Sequence, residues 1–192
     1  MDTQSLARRI LDNRGWTIVG EPPPDPVVVL VAAPHTSGWD FAVMVALSRA
    51  FGVKPLFLAK RELFRGPLGV FMRRMGGISI DRANAAGVVA EVVAHATSAE
   101  RYQLVIAAEG TRKPGRYWKS GFYRIAQQAD IPICLGFCDG PTRTMGFGPT
   151  FRPSGDVRAD MDLVRAFYAD KHGIVPANRT EPRLREEDEP VG

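Results

Sequence analysis

The chain has 192 residues, of which 45% are hydrophobic and 9% aromatic. These proportions favour one globular domain with a core of its own and exclude a chain that is disordered throughout. The formal net charge is +4, but residues 54–124 contain 13 Lys or Arg against 5 Asp or Glu, a net charge of +8. This basic middle indicates an anionic partner such as phospholipid headgroups, a phosphorylated cofactor or nucleic acid, although a solvated face without a partner has the same composition.

The first 20 residues are predicted to form an N-terminal helix and lead-in. Charges alternate with apolar side chains over residues 1–12, which is the pattern of a short amphipathic helix and not of a secretory signal. No uncharged apolar run approaches the ~20 residues needed to span a bilayer. We therefore expect a cytoplasmic protein that is bound peripherally to the inner face of the cell membrane.

Apolar runs predict five strands, and helical patterns lie between them. The predicted strands are Val27–Ala33, 55–59, Gly77–Ile80, 104–108 and 131–137; the predicted helices are Asp40–Phe51, 84–97, 120–129 and 160–171. This alternation implies a single α/β domain over residues 21–175, with a mostly parallel mixed sheet flanked by helices. Residues 176–192 contain an acidic run and are predicted to be a disordered tail.

The first block of polar residues, PHTSGWD at 34–40, follows the predicted strand Val27–Ala33. Reactive groups of α/β proteins gather at the carboxyl ends of strands. Four residues separate His35 from Asp40, so a loop that folds back would place the carboxylate against the imidazole. The carboxylate would then hold the tautomer of His35 while the ring takes a proton as a general base. Ser37 is expected to brace this loop rather than to act as a nucleophile, and a purely structural histidine is the alternative.

The second block is EGTR at 109–112, after the predicted strand 104–108. Gly110 lets the backbone approach a ligand, and Thr111 offers a hydroxyl. Arg112 can bind a phosphate with two parallel hydrogen bonds. Glu109 could orient the arginine or structure the loop. These four residues predict a binding site for an anionic substrate, although any turn after a strand could carry them.

Arg82 is the second candidate for phosphate binding. It follows the predicted strand Gly77–Ile80, and two arginines at strand ends on one side of the sheet would form a clamp with Arg112. A surface salt bridge between Asp81 and Arg82 is the alternative.

Residues 63–75 mix bulky apolar side chains with Arg65, Arg73 and Arg74. This composition fits an interfacial element whose apolar side enters lipid while the arginines meet phosphates. An ordinary amphipathic core helix is the alternative.

Neither a metal ion nor a cofactor is expected. The three histidines lack a second ligand at the spacing of a zinc site. The chain also has no P-loop and no Gly-x-Gly-x-x-Gly motif, so nucleotide hydrolysis and hydride transfer have no support.

Taken in order, these blocks resemble those of the glycerolipid acyltransferase superfamily, which includes the lysophosphatidic acid acyltransferases, and in particular a small bacterial branch of it. His35 and Asp40 are similar to its first block, residues 77–82 to its second and 109–112 to its third. Two supporting residues lie in further similar stretches: Lys60 in the link at 59–63 and Pro132 in the fourth block at 131–133.

The resemblance implies a glycerol-3-phosphate acyltransferase-like fold and an O-acyltransferase activity. His35, oriented by Asp40, would deprotonate the hydroxyl of a lysophospholipid such as a 1-acylglycerol-3-phosphate. That hydroxyl would attack the thioester of acyl-CoA or acyl carrier protein directly. Arg82, Gly110 and Arg112 would hold the acceptor phosphate, with no metal and no cofactor besides the acyl donor. Attachment to an anionic membrane surface is the expected route to the lipid.

Two alternatives remain for the function. Pro34 and Lys113 stand where this family usually has Asn and Ser, so the acceptor could instead be a glycolipid, an aminolipid or a soluble alcohol, with the arginines free for coenzyme A phosphates. A non-catalytic module for anionic lipid or nucleic acid would use only the basic middle. Few aromatic side chains are present there for base stacking, and nucleic acid is therefore not expected.

Overall fold

The computed structural model describes residues 2–80 and 84–189 of the chain. Its strands are β1 (Thr17–Val19), β2 (Val27–Ala33), β3 (Leu56–Lys60), β4 (Gly77–Ile80), β5 (Tyr102–Ile106), β6 (Ile133–Asp139) and β7 (Thr144–Phe151). Its helices are α1 (Thr3–Asn13), α2 (Asp40–Phe51), α3 (Gly66–Arg74), α4 (Ala85–Ser98), α5 (Gly121–Ala129) and α6 (Val157–Tyr168), with short 3-10 helices at Arg61–Phe64, Pro176–Asn178 and Arg185–Asp188. Within these ranges, none of the helices combines the length and the apolar character that crossing a bilayer requires.

The strands form one sheet in the order β1-β7-β6-β2-β5-β3-β4. Neighbouring strands are parallel except for the pair β6 and β7, which is antiparallel. Crossovers from β2 to β3 and from β3 to β4 run toward one edge, and those from β4 to β5 and from β5 to β6 run back. Because such crossovers are right-handed, α2 and α3 cover one face and α4 and α5 the other. The predicted mostly parallel α/β sheet flanked by helices is confirmed.

Strand β2 is buried on both faces, so alternate residues contribute to two separate cores. Val29 and Val31 pack on the face covered by α4, α5 and α6. Val28 and Leu30 pack on the opposite face with Leu11 of α1 and with α2. A third cluster lies between β3 and α3. The central strand is thereby held rigidly, and the loop that leaves its carboxyl end starts from a fixed point.

The predicted bounds of β2, β4 and α2 agree with the structure. The largest difference is β7, which sequence patterns did not predict because glycine and proline interrupt it at Gly146, Gly148 and Pro149. Helix α6 begins three residues before the predicted start, because Asp156 caps it by accepting hydrogen bonds from the backbone of the first turn.

The tail is ordered where the structure describes it, so the predicted disorder of residues 176–192 is wrong for 176–189. The Leu184 side chain is fully buried in the core next to α5 and α6. Ion pairs neutralise part of the negative charge of the acidic run. Glu186 Oε1 lies 2.7 Å from Arg124 Nη2, and Glu187 Oε2 lies 2.6 Å from Arg165 Nη1. The predicted domain boundaries at residues 20 and 175 stay a prediction.

Candidate active site

The site lies at the carboxyl ends of β2 and β5, which are neighbours in the sheet. Strand β2 leads into a loop at 34–39 that carries His35, and α2 begins at Asp40. Strand β5 leads into a second loop, 107–120, that carries the EGTR block. Strand order therefore brings together two blocks that are about 70 residues apart in the chain.

His35 and Asp40 form a close pair. The His35 Nδ1 atom lies 2.9 Å from Asp40 Oδ2, and the two side chains are 27% and 13% exposed. The backbone N–H of Ser37 donates to the same carboxylate oxygen at 2.8 Å. Because a carboxylate only accepts hydrogen bonds, Nδ1 carries the proton and Nε2 has a free lone pair. This geometry lets Nε2 accept a proton from a hydroxyl.

The described contacts of Ser37 are with the loop and with Asp40, the first residue of α2. Its Oγ accepts a hydrogen bond from Trp39 N at 3.2 Å, and its N–H holds Asp40 as described above. No contact in the described part of the chain joins its hydroxyl to His35. These positions are those of a loop brace and do not activate a serine nucleophile.

Glu109 lies behind the His35 loop and not in an open anion site. Its side chain is only 3% exposed, and its Oε1 accepts the backbone N–H of His35 at 2.7 Å. Burial raises the pKa of Glu109 to about 7, although the hydrogen bond from His35 acts in the opposite direction. A buried carboxylate cannot contact an anionic acceptor and would repel it. We therefore assign to Glu109 a role in holding the His35 loop, in place of the predicted role in binding substrate.

The remainder of the EGTR block forms an exposed turn. Gly110 has φ +67°, and a Cβ there would lie 2.9 Å from the Lys119 side chain, so the turn requires glycine. Its N–H donates to Ala107 O at 3.0 Å and is therefore occupied within the turn. Thr111 is exposed and accepts a weak bond from Lys113 N at 3.3 Å, which leaves its hydroxyl hydrogen available.

The guanidinium of Arg112 reaches across to the His35 loop. Its Nη1 atom lies 3.0 Å from the position that a Cβ on Gly38 would occupy, and the residue is exposed. An anion bound to Arg112 would therefore lie beside the His35 loop. Gly38 is the sequence signal for this approach, but a glycine alone does not indicate which distant side chain lies against it.

Three other predicted residues lie apart from this pair or outside the description. Arg82 lies outside the described residues. Lys60 is exposed at the carboxyl end of β3, at the same edge as His35. Pro132 is buried before β6, and its carbonyl accepts Val29 N at 3.0 Å. It lies about 17 Å from the carboxyl edge, at ~3.3 Å per residue over five residues, so it supports the sheet and not the site.

An apolar pocket adjoins His35 on the face covered by α2. Its volume is about 80 Å³, and β2, β6 and α2 supply its walls. The aliphatic lining runs from Ala33 and Val43 near His35 to Leu47, farther along α2, and Val53, just after this helix. The sequence pattern of these residues is that of ordinary core residues, so only the structure shows that they line a pocket. Among the described residues, no group of three or more His, Cys, Asp or Glu side chains is placed to hold a metal.

A mostly parallel sheet carries a His–Asp pair at its carboxyl edge, with an arginine beside the His35 loop and an apolar pocket next to His35. These features define a class of α/β protein suited to transferring an apolar group to a polar acceptor. The chain belongs to the acyltransferase family, whose model matches residues 20–134, and it is an acyltransferase. The resemblance found in its motifs is confirmed at this level.

The fold is similar to that of a solved structure, the 1-acyl-sn-glycerophosphate (LPA) acyltransferase PlsC from Thermotoga maritima. The TM-score is 0.58 at 19% sequence identity, and the match covers 84% of this chain and 74% of the other. At this identity the likeness shows the fold alone. No protein of curated function matches the chain significantly in sequence.

Proposed function

We propose that the protein transfers a fatty acyl group from a thioester, acyl-CoA or acyl carrier protein, to the hydroxyl of a lysophospholipid of the 1-acylglycerol-3-phosphate kind. The observation that carries this proposal is the 2.9 Å contact between His35 Nδ1 and Asp40 Oδ2, which leaves Nε2 to accept a proton. Arg112 lies beside the same loop, and the apolar pocket adjoins His35. The pair supplies the base, the arginine a site for phosphate, and the pocket a site for hydrocarbon.

In the proposed reaction, His35 Nε2 removes the proton from the acceptor hydroxyl as its oxygen attacks the thioester carbonyl carbon. The new C–O bond forms first, and the C–S bond then breaks as the tetrahedral intermediate collapses. The imidazolium returns its proton to the leaving thiolate, so the products are an ester and a free thiol. Asp40 stabilises the imidazolium in between. Positioned proton transfer of this kind contributes about 10²–10⁴-fold to the rate.

The acceptor phosphate is assigned to Arg112 because of its position and surroundings. The guanidinium is exposed beside the His35 loop, and Lys113 and Lys119, near Arg112 on the second loop, add positive potential. Charge-assisted bonds from a guanidinium to phosphate are strong and geometrically selective. A phosphate held there would present a nearby hydroxyl of the same small molecule to His35.

Replacing Arg112 with Gln tests this assignment. Losing a hydrogen bond to a charged group costs about 1.5–3 kcal/mol, so we expect KM for lysophosphatidic acid to rise roughly 10–150-fold while KM for palmitoyl-CoA stays within about twofold. Thiol release from palmitoyl-CoA, measured over a panel of phosphorylated and unphosphorylated acceptors, provides both constants. With an unphosphorylated monoacylglycerol, the variant and the wild type should behave alike.

Arg116→Gln is the matched control, since this arginine lies on the same loop but stacks on Tyr117 at 5.0 Å. It should change either KM by about twofold or less. A rise confined to palmitoyl-CoA in the Arg112 variant would instead assign this arginine to coenzyme A phosphates. That result would favour an acceptor without phosphate, such as a glycolipid or a soluble alcohol.

The proposed route to the lipid is contact between α3 and an anionic bilayer. Helix α3 exposes apolar side chains on its outer side: Leu68, Val70 and Phe71 are 49%, 48% and 50% exposed. Arg73 and Arg74 are exposed in its last turn. A surface helix normally directs polar residues outward, so this face suits the interface of a membrane with negative headgroups.

Two features support the same orientation. Trp39, 72% exposed, projects from the His35 loop at the edge where α3 begins. A groove of about 740 Å³ between α1, α2 and α3 is lined by Arg49 and Lys54 together with the two arginines of α3. This helical layer therefore presents apolar side chains and positive charge together, which is what an anionic lipid surface attracts.

The double variant Leu68→Ser/Phe71→Ser should bind vesicles containing phosphatidylglycerol roughly 30-fold more weakly. Half-burial of each side chain is worth about 1 kcal/mol, and two together about 2 kcal/mol. Co-sedimentation at low salt measures the partition. Leu163→Ser is the control, because Leu163 is 40% exposed on α6, at the other face of the sheet. Equal weakening by the control, or no binding by the wild type, would count against this surface.

A further inference from the structure

A segment near the carboxyl end of the chain, residues 172–180, packs against the back of the His35 loop. Thr36, the residue after His35, is 1% exposed. Its Oγ1 accepts the backbone N–H of Val175 at 3.0 Å, and its carbonyl accepts Asn178 Nδ2 at 3.0 Å. A Cβ on Gly173 would lie 2.7 Å from Thr36 Oγ1, so the segment and the loop are in direct van der Waals contact.

The same segment also contacts the second loop of the site. The N–H of Gly115 donates to Thr180 Oγ1 at 2.9 Å, and Trp118 Nε1 donates to Thr180 O at 3.1 Å. Beyond these bonds the chain is anchored by the buried side chain of Leu184 and by the ion pair between Glu186 and Arg124. One piece of chain thus ties the His35 loop to the loop that carries Arg112.

His35 is consequently flanked by two fixed points. Its own N–H is held by Glu109, and the next residue is held on both its hydroxyl and its carbonyl by the segment 172–180. The bond from Asn178 is the one side-chain bond described between this segment and the loop carbonyl. It crosses 142 residues of sequence, and it starts beyond the 20–134 region that matches the acyltransferase family.

We propose that Asn178, acting through Thr36, is a positioning residue that holds His35 and Asp40 in the geometry needed for acyl transfer. This inference rests on the proposed function. A displacement of about 1 Å between reacting groups can cost about 10²-fold in rate. A small movement of the His35 loop, once its bond to Asn178 is removed, is therefore enough to lower the rate of acyl transfer. Asn178 contacts the loop at the Thr36 carbonyl and acts on His35 through the backbone, so its effect should appear in kcat and not in binding.

Asn178→Ala and Thr36→Val test the proposal, with Thr36→Ser as the conservative variant that keeps Oγ1. We expect kcat to fall about 10- to 100-fold in Asn178→Ala and Thr36→Val, with both KM values within about twofold of the wild type. In Thr36→Ser, kcat should stay near the wild-type value. The second readout is the ¹H NMR resonance of the His35 Nδ1–H bonded to Asp40, which should move or broaden in Asn178→Ala. Arg124→Gln is the control: it removes the ion pair with Glu186, beyond the segment and away from the loop, and both readouts should stay as in the wild type.

Wild-type kcat together with an unchanged resonance in folded Asn178→Ala would overturn the proposal. Equal losses in Arg124→Gln would also overturn it, since they would reflect general loosening of the tail. Should Thr36→Val not fold, the half-buried Asn178 still gives the decisive variant. If the wild type transfers acyl groups to no acceptor, the proposed function fails, while the resonance still decides whether Asn178 orients the His–Asp pair.

Discussion

Replacing Asp40 with Asn should lower kcat by about 10²-fold or more, with little change in either KM. An asparagine has the same shape and can still accept from Ser37 N and His35 Nδ1 with its single oxygen. It lacks the negative charge that stabilises the imidazolium, which exists only once His35 has taken the proton. The loss should therefore appear in the transition state and not in the ground state. Steady-state kinetics with saturating donor and varied acceptor measure it.

Ser37→Ala is the control for this variant. It removes the hydroxyl that accepts from Trp39 but keeps the backbone N–H that holds Asp40. We expect a loss in kcat of less than about tenfold, since only a brace within the loop is removed. A loss in Ser37→Ala as large as that in Asp40→Asn would point to a serine nucleophile and an acyl-enzyme, and would contradict direct transfer.

Glu109→Gln should make the protein more stable above neutral pH and change its pH dependence. In the folded state the pKa of Glu109 is about 7, above its ordinary value near 4.5, because the carboxyl is buried. Between these values the folded state retains a proton that the unfolded state has lost. Stability from this group is therefore greatest at low pH and declines as pH rises from about 4.5 to 7. Glutamine cannot ionise and avoids this decline.

Urea unfolding at pH 5 and pH 8 tests the prediction. Each pKa unit corresponds to ~1.4 kcal/mol. From pH 5 to pH 8, the free energy of unfolding of the wild type should therefore decrease by about 2–3 kcal/mol more than that of the variant. Glu62→Gln, at an exposed position of the 3-10 turn Arg61–Phe64, should follow the wild type. Parallel pH curves for Glu109→Gln and wild type would show that the carboxyl is solvated in solution, against its 3% exposure here.

The parts of the site that sequence patterns predict are those set by local spacing. His35 and Asp40 meet because the loop between β2 and α2 is short and α2 begins at Asp40 itself. Strand β2 is recognisable because burial on both faces makes it a continuous apolar run. These features depend on a few consecutive residues, and their chemistry is visible without knowledge of the neighbouring strands.

The parts that were missed depend on strand order and on distant segments. Glu109 holds the His35 loop because β5 lies beside β2, which residue spacing along the chain does not reveal. Asn178, which contacts Thr36, lies 142 residues away from it in the sequence. The acidic tail is charged like a solvated segment, but Arg124 and Arg165 neutralise it on the surface of α5 and α6. Charge and periodicity describe a segment alone, while these roles belong to pairs of segments.

Acceptor-dependent release of free thiol from palmitoyl-CoA, compared between the wild type and His35→Ala, tests the central claim most directly. The account predicts release by the wild type only when lysophosphatidic acid or another lysophospholipid is present, with a matching amount of the diacyl product, and a loss of about 10²–10⁴-fold in the variant. Equal rates in the two proteins, or release that needs no acceptor, would contradict His35 as the base of an acyl transfer to a lipid hydroxyl.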